Sequence, residues 1–255
     1  MKKNLSLAVC VVMLSLSVSL AGCSLLPQMP GKESGSGDGD DTETSLTDFT
    51  TTSETTTEAT TTTTAEETEA TAEKFDINVH TVGDIIGESV NKVYSSPLLG
   101  ISYEYPEHCS TGNRDAAQDL FKDIQKVTKD TKVSEVQDGV PIIGAYIIWT
   151  DNSLMEISYF YDADLSQEEY DALLQASLNS AVQNFEAIGY TTNKAEIGKM
   201  MIDGNEFDCI TLEYSNNVAR KHVVRYKDGI VTDVNVLSLG QFSIDSMLAG
   251  LHMEA

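Results

Sequence analysis

Positive charge is scarce in this chain: 16 lysines and arginines stand against 40 aspartates and glutamates, giving a net charge of −24. A cationic footprint able to displace counterions from a phosphate backbone is therefore missing, which excludes direct nucleic-acid binding. It also excludes a purely electrostatic attachment to anionic lipid. There are 4 histidines and 4 cysteines, with no Cys-x-x-Cys or His-x-x-x-His spacing. His80, His108, His222 and His252 with Cys109 and Cys209 thus form no metal-ligand pattern. Residues 75–255 contain no Gly-x-Ser-x-Gly elbow, phosphate loop or dinucleotide fingerprint, so these catalytic and cofactor classes drop out. No apolar run reaches the roughly 20 residues of a permanent membrane helix.

The longest apolar run, Leu5 to Leu20, follows Met1-Lys2-Lys3 and matches the charged and hydrophobic regions of a secretory leader. It ends in Leu20-Ala21-Gly22-Cys23, which resembles the lipobox of bacterial lipoproteins. The resemblance implies a signal peptide over 1–22, cleavage before Cys23, and lipidation of the Cys23 thiol with palmitate-type acyl chains. Two or more such chains make anchoring stable where one gives only reversible binding. The implied location is the extracytoplasmic side of the cell membrane. Cys10 lies within the leader and would be discarded with it.

Residues 23–74 change composition abruptly, from Gly35-Ser36-Gly37-Asp38-Gly39-Asp40 to threonine runs such as Thr60-Thr61-Thr62-Thr63-Thr64. Residues 24–74 hold 2 basic and 12 acidic side chains. So little apolar surface cannot offset ordering entropy, and the reading is a disordered acidic linker. A flexible chain of that length spans roughly 40 Å. Residues 75–255, with 12 basic and 28 acidic side chains, suit one domain with a sizeable core.

Within that domain, period-two patterning predicts strands over 90–94 and 99–105, and helical spacing of Ala117, Leu120, Phe121, Ile124 and Val127 predicts a helix over 114–129. A short strand is expected over 133–137, then a hairpin of 142–150 with 154–161 around Asp151-Asn152-Ser153. Ser166-Gln167-Glu168-Glu169 is a capping box opening a long helix that Gly189 closes. Strands over 196–202, 206–214, 219–226 and 230–239 follow, turned by Asp203-Gly204, Ser215-Asn216-Asn217 and Asp228-Gly229, and a last helix is expected over 243–251. This order predicts an α+β fold, a mostly antiparallel sheet with helices packed on it.

The stretch from Tyr94 through Pro97, Tyr103 and Tyr105 to Glu107 resembles the opening hairpin of PsbP-like domains, and the element order over 90–251 is similar to theirs. That resemblance implies an α/β/α sandwich and a binding or assembly role, with no catalytic set to carry over.

Outside the cytoplasm, Cys109 and Cys209 can pair as a disulfide or persist as two small thiols. A Cys109 nucleophile would need a nearby base, but His108 beside it on an extended chain points to the opposite side. Asp162-Ala163-Asp164-Leu165-Ser166 begins like a calcium loop, yet Gln167 and Leu173 stand where such a loop needs Gly and Glu. Tyr103, Tyr105, Tyr159, Phe160 and Tyr161 fit either a core or a ligand surface. The missing chemistry, the anchor and the linker together point to a non-enzymatic, tethered binding or assembly module with a protein partner and no cofactor. One alternative is a small-ligand or cation capture protein associated with a transporter, marked by a pocket of roughly several hundred Å³. The other is an enzyme assembled from distant segments, marked by a cleft with perturbed ionisable groups.

Overall fold

The computed structural model describes residues 76–254; the leader, Cys23 and the threonine-rich linker lie outside the described residues. A 3₁₀ turn and the four-residue α1 (Val82–Ile85) lead into β1 (Glu88–Val90) and β2 (Val93–Ser96). Asn91 and Lys92 between them have φ of 51° and 64°, the left-handed pair of a two-residue type I′ turn. A 3₁₀ turn at Pro97–Leu99 precedes β3 (Ile101–Glu104). The two-strand expectation is thus refined to three: the Asn91-Lys92 turn divides the first expected strand, and Gly100 at φ 60° delays the second until Ile101.

After β4 (Cys109–Thr111), α2 covers only Arg114–Asp119, and the helix expected over 114–129 stops there. Of its apolar stripe, Phe121 is buried while Leu120 and Ile124 are exposed. Long-range bonds divert the chain: Gln118 donates to Pro141 O and accepts from Ile143 N, both at 2.9 Å. Further on, Lys129 O and Thr131 O accept from Gly83 N and Val82 N. Val133–Glu135 is a 3₁₀ turn instead of a strand.

The central hairpin forms as expected from β5 (Ile142–Trp149) and β6 (Leu154–Tyr161), with a bulge between Ile143 and Ala145. Gly144 sits at the bulge because a Cβ there would lie 2.4 Å from Tyr94 Oη. The long helix α3 (Gln167–Ala187) has the full reciprocal capping box between Ser166 and Glu169. It ends in a Schellman arrangement, with Gly189 N bonded to Glu186 O and Tyr190 N to Phe185 O. The meander β7 (Thr192–Ile202), β8 (Asn205–Tyr214), β9 (Ala219–Lys227) and β10 (Ile230–Ser238) follows. Asp203-Gly204 and Asp228-Gly229 all have positive φ, again type I′ turns.

Last come α4 (Ile244–Leu248) and β11 (Leu251–Met253). The expected final helix therefore ends early: Leu251 pairs with Tyr103 as a strand residue, because β3 offers it a ladder edge.

All strand pairs are antiparallel. A four-stranded sheet runs β1-β2-β3-β11 and a seven-stranded sheet β4-β5-β6-β10-β9-β8-β7. One face of the large sheet carries α3, where Phe185 stacks on Tyr214 and Tyr170 donates to Asp208. The opposite face meets the small sheet, through Tyr94 Oη and Tyr159 Oη at 2.6 Å, and α4, whose Asp245 pairs with Lys221. The α+β class is as the sequence implies; the second outer layer is largely the small sheet. No helix among the described residues is long and apolar enough to cross a membrane.

Candidate functional site

Two adjoining clefts open where the free edge of β1 approaches α2 and the bulge of β5. The larger is about 440 Å³ and takes in Gly87–Val90, Tyr105, Arg114, Lys129 and Tyr146. The smaller, about 340 Å³, shares Arg114, Asp115 and Lys129 and adds apolar Val82, Ile86, Val127 and Ile143. Local chemistry builds the walls. Asn113 Oδ1 caps α2 by accepting from Ala116 N at 3.0 Å, which starts the helix with Arg114 beside the opening. Arg114 donates through Nε and Nη2 to Asp115 Oδ1 at 3.3 and 3.0 Å, so its Nη1 has no partner within that pair. On the facing wall Ser89 Oγ and Tyr105 Oη lie 2.6 Å apart.

Burial raises the Tyr105 pKa and pushes that of Tyr146 up to about 12. Both therefore stay neutral near pH 7 and offer hydroxyl hydrogen bonds. Neither histidine nor cysteine lines either cleft, so a Ser–His or Cys–His pair is not assembled there. Together the clefts present two cations, three carboxylates (Glu88, Asp115 and Asp119), neutral hydroxyls and an apolar annex.

A second polar feature is sealed inside. On the face of the large sheet that carries α3, Glu156 and Ser158 of β6, Asp233 and Asn235 of β10, and Arg220 and His222 of β9 are all buried. Arg220 Nε donates to Asn235 Oδ1 at 3.0 Å, and His222 Nδ1 lies 2.9 Å from Asp233 Oδ2. Burial, joined by the Arg220 guanidinium, holds the His222 pKa below its ordinary value against the pull of Asp233. Buried groups so paired fix strand register and helix placement.

The cysteine pair is not bonded. Cys109 on β4 and Cys209 on β8 are both free, which corrects the disulfide reading. Four strands intervene, so the thiols stand roughly 24 Å apart at the usual inter-strand spacing, against about 7 Å for a bridgeable pair. Nor do the histidines converge. His108 stacks on Phe242, His252 meets Asp203 at 3.2 Å, His80 faces Asp84 and His222 is enclosed. No group of three or more His, Cys, Asp or Glu among the described residues is placed to hold a metal. Asp162 accepts from Asp164 N while Ser166 caps α3, so the calcium-like segment serves the helix start. Of the aromatic set, Tyr103, Tyr159 and Phe160 are core and only Tyr105 reaches the larger cleft.

No family model and no curated protein matches the sequence. Among solved structures the chain is similar to the solution structure of cyanobacterial PsbP (CyanoP) from Synechocystis sp. PCC 6803, with a TM-score of 0.40 and 11% identity over 66% of this chain and 95% of that one.

Proposed function

We propose that the chain is a non-enzymatic extracytoplasmic binding module, held to a membrane by lipid on Cys23 and spaced from it by the acidic linker. The lipobox-like Leu20-Ala21-Gly22-Cys23 supports the anchor. The observation that carries the binding role is the pair of clefts at Arg114, which place donors, acceptors and apolar surface together with no histidine or cysteine in the lining. A partner that engages this surface would be met at a distance from the lipid, where a flexible linker lets the domain search.

The size of the larger cleft, about 440 Å³, also favours a second reading, capture of a small ligand for delivery to a transporter, since such volumes are typical of ligand sites.

Cross-linking in intact membranes followed by affinity recovery of the full chain tests both. The binding-module account expects a reproducible protein partner whose recovery falls at least tenfold for Arg114→Glu. Small-ligand capture expects a copurifying compound lost in the same variant. Recovery of neither, or equal recovery with Arg114→Glu, contradicts the assignment of the site.

A further inference from the structure

The free edge of β1 faces the larger cleft. Among the described residues β1 pairs only with β2, in the register Glu88 with Ser95, Ser89 with Tyr94 and Val90 with Val93. A two-residue turn makes its flanking pair, here Val90 and Val93, exchange both backbone hydrogen bonds, and the alternation of an antiparallel ladder then turns the N–H and C=O of Ser89 outward. Ser89 is among the residues that line the cleft, and all of β1 is exposed.

The opposite wall supplies charge. Lys129 has no ion-pair partner among the described residues, and Arg114 has only Asp115, itself largely exposed. Arg114 and Lys129 stand at the junction of the two clefts, whose lining also holds the carboxylates of Glu88, Asp115 and Asp119, so Lys129 is the cation there that no acid among the described residues already engages in an ion pair. The site is held in place before any ligand arrives. Gly83 N bonds Lys129 O at 2.8 Å, Ser89 bonds Tyr105, and Gly87, at φ 64°, has no room for a Cβ beside Ser95 O.

The long edge strand of the large sheet is guarded differently. On β7, Lys194 is paired with Glu196 at 2.6 Å and Lys199 with Asp208 at 2.9 Å, the kind of charged edge that discourages strand addition.

Resting on the binding-module reading above, we infer that the cleft takes an extended acidic peptide segment of a partner protein. The segment adds as a strand to β1, with an Asp or Glu side chain at Arg114 and Lys129 and a neighbouring apolar side chain in the annex of Val82, Val127 and Ile143. Main-chain bonds to the edge give affinity and the pockets give selectivity, the usual division in strand addition. Glu88, on the edge itself and without an ion-pair partner among the described residues, repels a second acid and so confines the peptide carboxylate to the cationic wall.

The test uses the full-length chain in mild detergent and two fluorescein-labelled decapeptides of alternating valine and threonine, one with a central Glu-Leu and the other with a central Lys-Leu. Fluorescence anisotropy is expected to show saturable binding of the acidic peptide at least tenfold tighter than of the basic one. Lys129→Glu should abolish or invert that preference. Ser89→Pro, which removes an outward N–H and no hairpin bond, should weaken binding at least tenfold. Ser89→Ala, which loses the same tyrosine contact, should retain binding, and matching circular dichroism and melting of the two Ser89 variants excludes misfolding. No saturable binding, equal affinity for the two peptides, or indifference to Ser89→Pro in a folded variant overturns the proposal. A membrane partner still cross-linked to Lys129→Glu and Ser89→Pro would leave the binding module standing and the peptide site refuted.

Discussion

Nδ1 of His222 lies 2.9 Å from Oδ2 of Asp233, with both side chains buried on the sheet face that carries α3. Because burial keeps the His222 pKa below its ordinary value, the folded chain holds a neutral imidazole at pH values where the unfolded chain, titrating near the ordinary 6.5 of a histidine, takes up a proton. That proton uptake favours unfolding, so this contribution to stability is present above the unfolded pKa and declines as pH falls below it. Urea denaturation at pH 8 and pH 5 should show His222→Ala costing about 3 kcal/mol at pH 8 and less at pH 5. An equal cost at both pH values would mean that His222 does not titrate differently in the two states.

The bulge at Gly144 predicts a contrast between two glycines on strands. Gly144→Ala drives a Cβ to 2.4 Å from Tyr94 Oη and 2.7 Å from Tyr159 Cε2, against the buried tyrosine pair. Overpacking of that kind costs about 1 to 3 kcal/mol. Gly198→Ala on β7 meets nothing within 4 Å and should be neutral or stabilising by up to about 1 kcal/mol. Thermal melts that rank the two variants the other way would contradict the packing described at the bulge.

Separation of Cys109 and Cys209 by four strands makes a clear chemical prediction. Burial raises the pKa of both thiols, so native labelling by a maleimide should be slow. After denaturation without reductant, peptides containing Cys109 and Cys209 should both carry the label. Failure of both to label until a reductant is added would restore the disulfide.

At the start of α3, Ser166 Oγ accepts from Glu169 N while Glu169 Oε2 accepts from Ser166 N. Ser166→Ala should destabilise the domain by about 1 kcal/mol, read from urea midpoints at constant slope. No measurable change would show that this cap is dispensable in the folded chain.

These residues also mark what was legible in the sequence. The capping box, Gly189 and the Asp-Gly turns are local signals, and α3 and the meander read correctly because tertiary packing agrees with them. Between Leu120 and Val127 the spacing is helical, but Gln118 and Gln125 bond to backbone far along the chain, and those partners are invisible locally. Leu251 has the same history: helical spacing favours one fate, and pairing with Tyr103 imposes another.

Arg220, His222, Asp233 and Asn235 alternate along their strands as a solvated face would, and only the covering layer makes them interior. The register set by Asp228-Gly229 does place His222 opposite Asn235, so that turn is the signal from which the cluster was recoverable. The clefts at Arg114 were not readable, since they are made by β1, α2 and β5 from three separate stretches of sequence.

The tethered binding module depends first on the anchor, and mass spectrometry of the amino-terminal peptide of the mature chain, isolated from membranes, tests it most directly. The account predicts a peptide beginning at Cys23 with diacylglyceryl mass on its sulfur. A peptide that retains residues 1–22, or one with an unmodified Cys23 thiol, would contradict it.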